Sequence, residues 1–128
     1  MNREIKFRMW HKKSKKMFDV ESINFKDRSL NMWNSGMYTL STFSLDDVIL
    51  MQYTGLHDKN GKEIYEGDIV KALISGRWFV GKVIYEHSGF TIDVMNNKEL
   101  EFGRRGIIEH WTEVIGNIHD NPELLGGE

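Results

Sequence analysis

The chain has 128 residues, 40% hydrophobic, 12% aromatic and 28% charged, with 17 Lys+Arg against 19 Asp+Glu for a formal net charge of −2. This is soluble-globular composition in enough chain for one domain, or two small lobes sharing a core, and it excludes a large multidomain enzyme. The absence of Cys removes disulfides, thiol nucleophiles and cysteine-based zinc sites and fits a reducing cytoplasm, and the longest apolar run, Val48-Ile49-Leu50-Met51, is too short for a signal peptide or a membrane span.

The near-zero charge hides an asymmetry. Up to Lys16 there are seven basic residues against Glu4 alone, whereas from Gly106 onward there are five acids and no Lys or Arg. Ile5, Phe7 and Met9 alternate with Lys6, Arg8 and Trp10, the period of a half-buried strand, and a second apolar stretch covers 16–20. An opening hairpin is predicted, with Lys12, Lys13, Lys15 and Lys16 at or beside its tip. A second hairpin is predicted from strands at 29–33 and 37–40 around Asn34-Ser35-Gly36. Ser44 before Leu45-Asp46-Asp47 is a cap signal, predicting a short helix to about Leu50.

From Met51 onward turn signals recur at the spacing of a compact all-β domain. A strand at 51–54 is followed by Asn60-Gly61, the dipeptide suited to a type I′ hairpin turn. Strands follow at 69–74, 78–85, 90–94, 100–102 and 113–118, separated by Ser75-Gly76, His87-Ser88-Gly89 and Asn96-Asn97. The strand at 78–85 is apolar on both faces, which predicts a bend at Gly81 that packs its halves on different sides of a small barrel. Thr91 and Asp93 are expected on a wet face, as are Glu99 and Glu101, and Asn121-Pro122 ends the last strand.

Three blocks in order then resemble one family. The run from Met51 through Thr54-Gly55-Leu56-His57-Asp58-Lys59-Asn60-Gly61-Lys62-Glu63-Ile64-Tyr65-Glu66-Gly67-Asp68 to Val70 is similar to the YopX family of phage and prophage proteins. Ile5-Lys6-Phe7-Arg8-Met9-Trp10 with Lys16-Met17, and Glu113-Val114-Ile115-Gly116-Asn117-Ile118-His119-Asp120-Asn121-Pro122-Glu123-Leu124-Leu125, match its other landmarks. Residues 22–45 carry no matching signature. The resemblance implies a mainly β fold: an N-terminal β-hairpin-rich lobe over 1–50, an SH3-like β-barrel over 51–121, a short tail over 122–128 and at most one or two short helices. It also implies phage or prophage origin and supplies no activity. Gly55, Asn60, Gly61, Gly67, Asp68, Gly116 and Pro122 are expected to serve structure: Gly67 gives turn geometry, and Asp68 bonds nearby amides more readily than it acts as a catalytic acid. Tyr53, Tyr65 and Trp111 are expected in the core or at a barrel rim.

Apparent site motifs fail on their mechanics. Gly55 and Gly61-Lys62 are one residue too far apart for a phosphate loop, and Glu63 stands where a magnesium-binding hydroxyl belongs. Asp58-Lys59-Asn60 opens like a calcium loop but lacks its central Gly and terminal carboxylate. Gly103-Arg104-Arg105-Gly106 has the form of a GxxG nucleic-acid clamp without the flanking helices, so a plain turn is expected. The five His are scattered, and no Ser lies in a nucleophile elbow. No catalytic, metal or cofactor site is expected.

Two function classes remain. In the first, an interaction or assembly module, self-associating or with an unknown protein partner, presents Trp10, Trp33, Trp78 and Phe79. In the second, a nucleic-acid-binding accessory protein uses Lys12, Lys13, Lys15 and Lys16 with Arg77, Trp78, Arg104 and Arg105, cations taking phosphates and Trp stacking bases. The pI near 6.2 favours the first.

Overall fold

The computed structural model describes residues 4–94 and 104–125. Among these the chain is mainly β, with 12 strands in three antiparallel sheets, three 3-10 turns and no α-helix. It divides into two compact units, Met1–Gln52 and Tyr53–Glu128.

In the first unit β1 (Phe7–His11) pairs with β2 (Lys16–Asp19) as the opening hairpin. On its other side β1 pairs with the start of β6 (Val48–His57), from Val48 to Gln52. A separate sheet has the order β3-β4-β5, from β3 (Ser22–Asn24), β4 (Ser29–Asn34) and β5 (Thr39–Ser44). Strand alternation aims Leu30 and Met32 inward, where they form a core with Met9 and Val48 under Phe18, Ile23 and Phe43. The Phe18 and Phe43 rings stack with centroids 6.2 Å apart. Asn34 Oδ1 accepts from the amides of Gly36 and Met37 and so shapes the β4–β5 turn. The helix expected up to Leu50 is instead one 3-10 turn, Leu45–Asp47, capped by the Ser44 hydroxyl accepting from the Asp46 amide at 3.1 Å. Val48 already lies in β6, because the apolar residues that follow the turn alternate into the core as a strand.

In the second unit the end of β6 pairs with β7 (Glu63–Tyr65). A five-stranded sheet follows, in the order β11-β10-β9-β8-β12. Its strands are β8 (Asp68–Ile74), β9 (Arg77–Glu86), β10 (Gly89–Asp93), β11 (Arg104–Gly106) and β12 (Thr112–Asn117). Ile64, Val70, Ala72, Phe79, Val83, Ile92 and Val94 form the core of this unit.

Two expectations are corrected here, the type I′ turn and the wet face of Asp93. Only Gly61 of Asn60-Gly61 takes positive φ, so the loop is a β-turn closed by Gly61 N–H donating to Asp58 O, with no type I′ geometry. Positive φ at both central residues occurs instead at Ser75-Gly76 and His87-Ser88. In β9, Phe79, Gly81 and Val83 are buried on one face while Trp78 and Val80 on the other are exposed, and Tyr85, of the inward parity, lies exposed near the strand's end. Gly81 answers to space, since a Cβ there would lie 2.6 Å from the Asp93 carbonyl oxygen. Asp93 is 4% exposed, not on a wet face. Within the expected tail, Pro122–Leu125 forms a 3-10 turn. The strand at 100–102, the Asn96-Asn97 turn, Glu99, Glu101 and Gly103 lie outside the described residues.

Candidate functional site

The polar groups of the most distinctive motifs are engaged by their own backbone. Asp58 is buried, and its Oδ1 accepts from the amides of Asn60 and Lys62 while Oδ2 accepts from that of Val114, each at 2.9 Å. Burial pushes this carboxyl's pKa up, but the three amides and the Lys62 charge outweigh it and hold it below the ordinary carboxylate value. Lys59 N–H also donates to Thr112 O, so the whole loop is tied to β12. Asp68 Oδ2 accepts from the Tyr65 amide at 2.7 Å, and between them Gly67 has φ 89°. Gly55 and Gly61 are also at positive φ.

The closing motif is a knot of the same kind. Asn117 Oδ1 accepts from the amides of His119 and Asp120, and Asn121 Oδ1 accepts from the amide of Asn117. A Cβ on Gly116 would lie 2.6 Å from Asn121 Oδ1 and 2.9 Å from Leu124 Cδ1, so any larger residue would have to displace these two side chains of the turn that Pro122 opens.

Lys12, Lys13, Lys15 and Lys16 are exposed on the first unit, where Lys12 Nζ donates to Asp46 O at 3.1 Å. Arg77, Trp78, Arg104 and Arg105 belong to the second. Trp78 is half exposed, with the Lys59 and Lys71 ammoniums 5.2 and 5.3 Å from its ring centroid. Both lysines also contact Glu113 Oε1, at 3.3 and 3.4 Å. The hydrogen bond from Lys59 is the main cause that lowers the Glu113 pKa. Beside this Trp, where Arg77 is expected from the sequence, stand Lys59, Lys71 and Glu113. Their signal is cross-strand register, in which Glu113 faces Lys71 and Lys71 faces Val80 on one outer surface.

Of the aromatics expected to meet a partner, Trp33 and Trp78 are exposed and Trp10 is half-buried. Phe79 is corrected: at 8% exposure it belongs to the core, because the inward parity of β9 claims it. Tyr53 and Tyr65 are buried, whereas Trp111 is exposed beside a groove of about 450 Å³. Leu73, Ile74, Ile108 and Trp111 line that groove, with Arg105 as the one charged wall residue among the described residues. No group of three or more His, Asp or Glu among the described residues is placed to hold a metal ion, and no described helix is long and apolar enough to cross a membrane.

The sequence model of the YopX protein family matches residues 6–126. The chain belongs to the YopX family. Its fold is similar to that of protein EF1440 from Enterococcus faecalis, with TM-score 0.68 and 25% identity, covering 97% of this chain and 99% of that one. Protein yopX from Bacillus subtilis is similar with TM-score 0.62 and 22% identity, over 93% and 96% of the two chains. No curated protein matches the chain. In this YopX protein Asp58, Asp68, Asn117 and Asn121 stand at the points where its loops are tied down.

Proposed function

We propose that this YopX protein is a non-enzymatic interaction or assembly module of the bacterial cytoplasm, of phage or prophage origin, whose second unit is an SH3-like barrel. The observation that carries this reading is the division of labour among its residues. Asp58, Asp68, Asn117 and Asn121 hold backbone amides, while large apolar side chains, Trp111 and Ile108 among them, stay on the surface. Chemistry needs spare titratable groups, whereas recognition needs apolar anchors in concave settings. The groove at Trp111 has the anchor and the concavity.

Affinity capture from prophage-carrying cells with tagged wild type and Trp111→Ala in parallel tests the reading. A protein partner retained by the wild type should be lost from the variant, since truncating a Trp anchor costs ~2 kcal/mol or more, roughly thirtyfold in affinity. Partners captured equally by both would remove the groove from the proposal.

Trp78 flanked by Lys59 and Lys71 gives the nucleic-acid reading a foothold, since a base stacks on Trp and ammoniums meet phosphates. Glu113 offsets that charge, and the second unit as a whole has eight Lys or Arg against thirteen acids. The protein-interaction reading is therefore the better supported.

A further inference from the structure

The β4–β5 hairpin differs from the rest of the chain in one respect. Residues 29–44 contain no Lys, Arg, His, Asp or Glu, in a protein that is 28% charged. Leu30, Met32 and Phe43 point into the core of the first unit. On the outer face Thr42 Oγ1 donates to Asn31 Oδ1 at 2.6 Å, and Asn31 Nδ2 donates to Ser22 Oγ at 3.1 Å, a polar row across three strands. Nearer the tip Trp33 and its cross-strand partner Leu40 are 51% and 53% exposed, and Met37 and Tyr38 stand out further still.

Strand β5 ends its sheet, and its pairing with β4 runs without a bulge for six residues. An edge strand offers unpaired N–H and C=O groups to any other strand, and soluble proteins ordinarily block such edges with Lys, Pro, a bulge or a covering loop. Thr39-Leu40-Ser41-Thr42-Phe43-Ser44 has no charge, no Pro and no bulge, and four of its six residues are exposed. Thr, Leu and Phe also suit a strand packed on another strand.

We propose that the free edge of β5 is where two copies of this chain join, antiparallel, so that the two three-stranded sheets become one of six strands. The interaction-module reading underlies this proposal, which names the partner as a second copy. Charge selects that partner. A surface without ionised groups brings no like-charge repulsion between identical molecules and offers nothing to an acidic or basic partner. An antiparallel pairing about a twofold axis satisfies both edges with the same groups, which is the self-complementarity of an isologous interface. It also brings each hairpin's exposed Trp33–Leu40 pair toward the seam, adding apolar burial to the backbone hydrogen bonds.

Sedimentation equilibrium of the full chain, wild type against a Leu40→Lys/Thr42→Lys double variant, tests this. Both side chains are exposed, so the variant should fold, and an unchanged far-UV circular dichroism spectrum verifies it. The wild type should show twice the 15.0 kDa of one chain, and two edge lysines should weaken dimerisation by about tenfold or more. Hydrogen exchange adds a local readout: the amides of Thr39–Ser44 that face away from β4 should be protected in concentrated wild type and exchange faster on dilution or in the variant. A wild type that stays monomeric at its highest attainable concentration would overturn the proposal, as would a folded variant that keeps the dimer mass. A monomer that still loses a captured partner on Trp111→Ala would refute self-association while leaving the interaction-module reading intact.

Discussion

At the residue scale the decisive side chain is Asp58, whose two oxygens take three backbone amides from two segments of chain. Asp58→Asn would turn an NH₂ group toward at least one of those donors, leaving a part-buried amide without its acceptor. The expected loss is ~1–3 kcal/mol near neutral pH, read as a lower urea midpoint. Because the folded-state pKa lies below the unfolded one, this carboxylate's contribution is complete above the ordinary Asp value of about 3.9 and disappears as pH falls through the folded value. Stability measured between neutral pH and pH 3 should therefore fall more steeply for wild type than for Asp58→Asn. Equal slopes would show that other carboxylates govern the acid limb. In the sequence Asp58 stands out only as the first position of a failed calcium loop. Its real partner, the Val114 amide, is 56 positions away and leaves no local pattern.

At the element scale the turn Pro122–Leu125 shows how one missing side chain permits a contact. It returns close enough to β12 that Asn121 and Leu124 occupy the space of a Gly116 Cβ. Gly116→Ala should destabilise by ~1–3 kcal/mol, the usual penalty of overpacking, and thermal melting would register it as a drop of several degrees. An unaltered melting temperature would mean that the turn gives way freely. The strands were largely legible, since period-two alternation and turn residues marked β1, β2, β4, β8, β9, β10 and β12 near their observed positions. Two classes of feature were hidden. Helix against strand at 45–50 depends on what the apolar residues meet in three dimensions, so the Ser44 cap was readable while the length of the turn was not. Charge on an outer strand face, as at Lys71 and Glu113, becomes a cluster only once register is set. The charge-free interval at 29–44 was present in the sequence, although its meaning depends on knowing that β5 is an edge.

For the whole molecule, the net −2 divides unevenly. The first unit has nine Lys or Arg against six acids, a formal +3, and the second has eight against thirteen, a formal −5. The lysine tip therefore belongs to the unit of favourable sign, and the Arg77, Trp78 and Arg105 surface to the unfavourable one. Retention on immobilised DNA or RNA should accordingly be weak and vanish at physiological salt. Were the tip a true phosphate site, replacing Lys12, Lys13, Lys15 and Lys16 by Ala would flatten the log–log salt dependence by roughly 3.6 on duplex DNA, about 0.9 per lost contact. Such a flattening would restore the nucleic-acid reading, and a flat, weak response in both proteins would close it.

The clasp between Asp58 and β12 also bears on the order of events in folding. Its two ends enclose nearly all of the second unit's strands, so the bond to Val114 repays its loop-closure entropy only after β8, β9 and β10 have already drawn the chain together. A contact of that kind is expected to form on the native side of the folding barrier, so Asp58→Asn should speed unfolding more than it slows refolding in stopped-flow denaturant kinetics, and an equal share in both rates would refute this. The Asp that opens this loop thus acts as a latch on the lifetime of the folded unit.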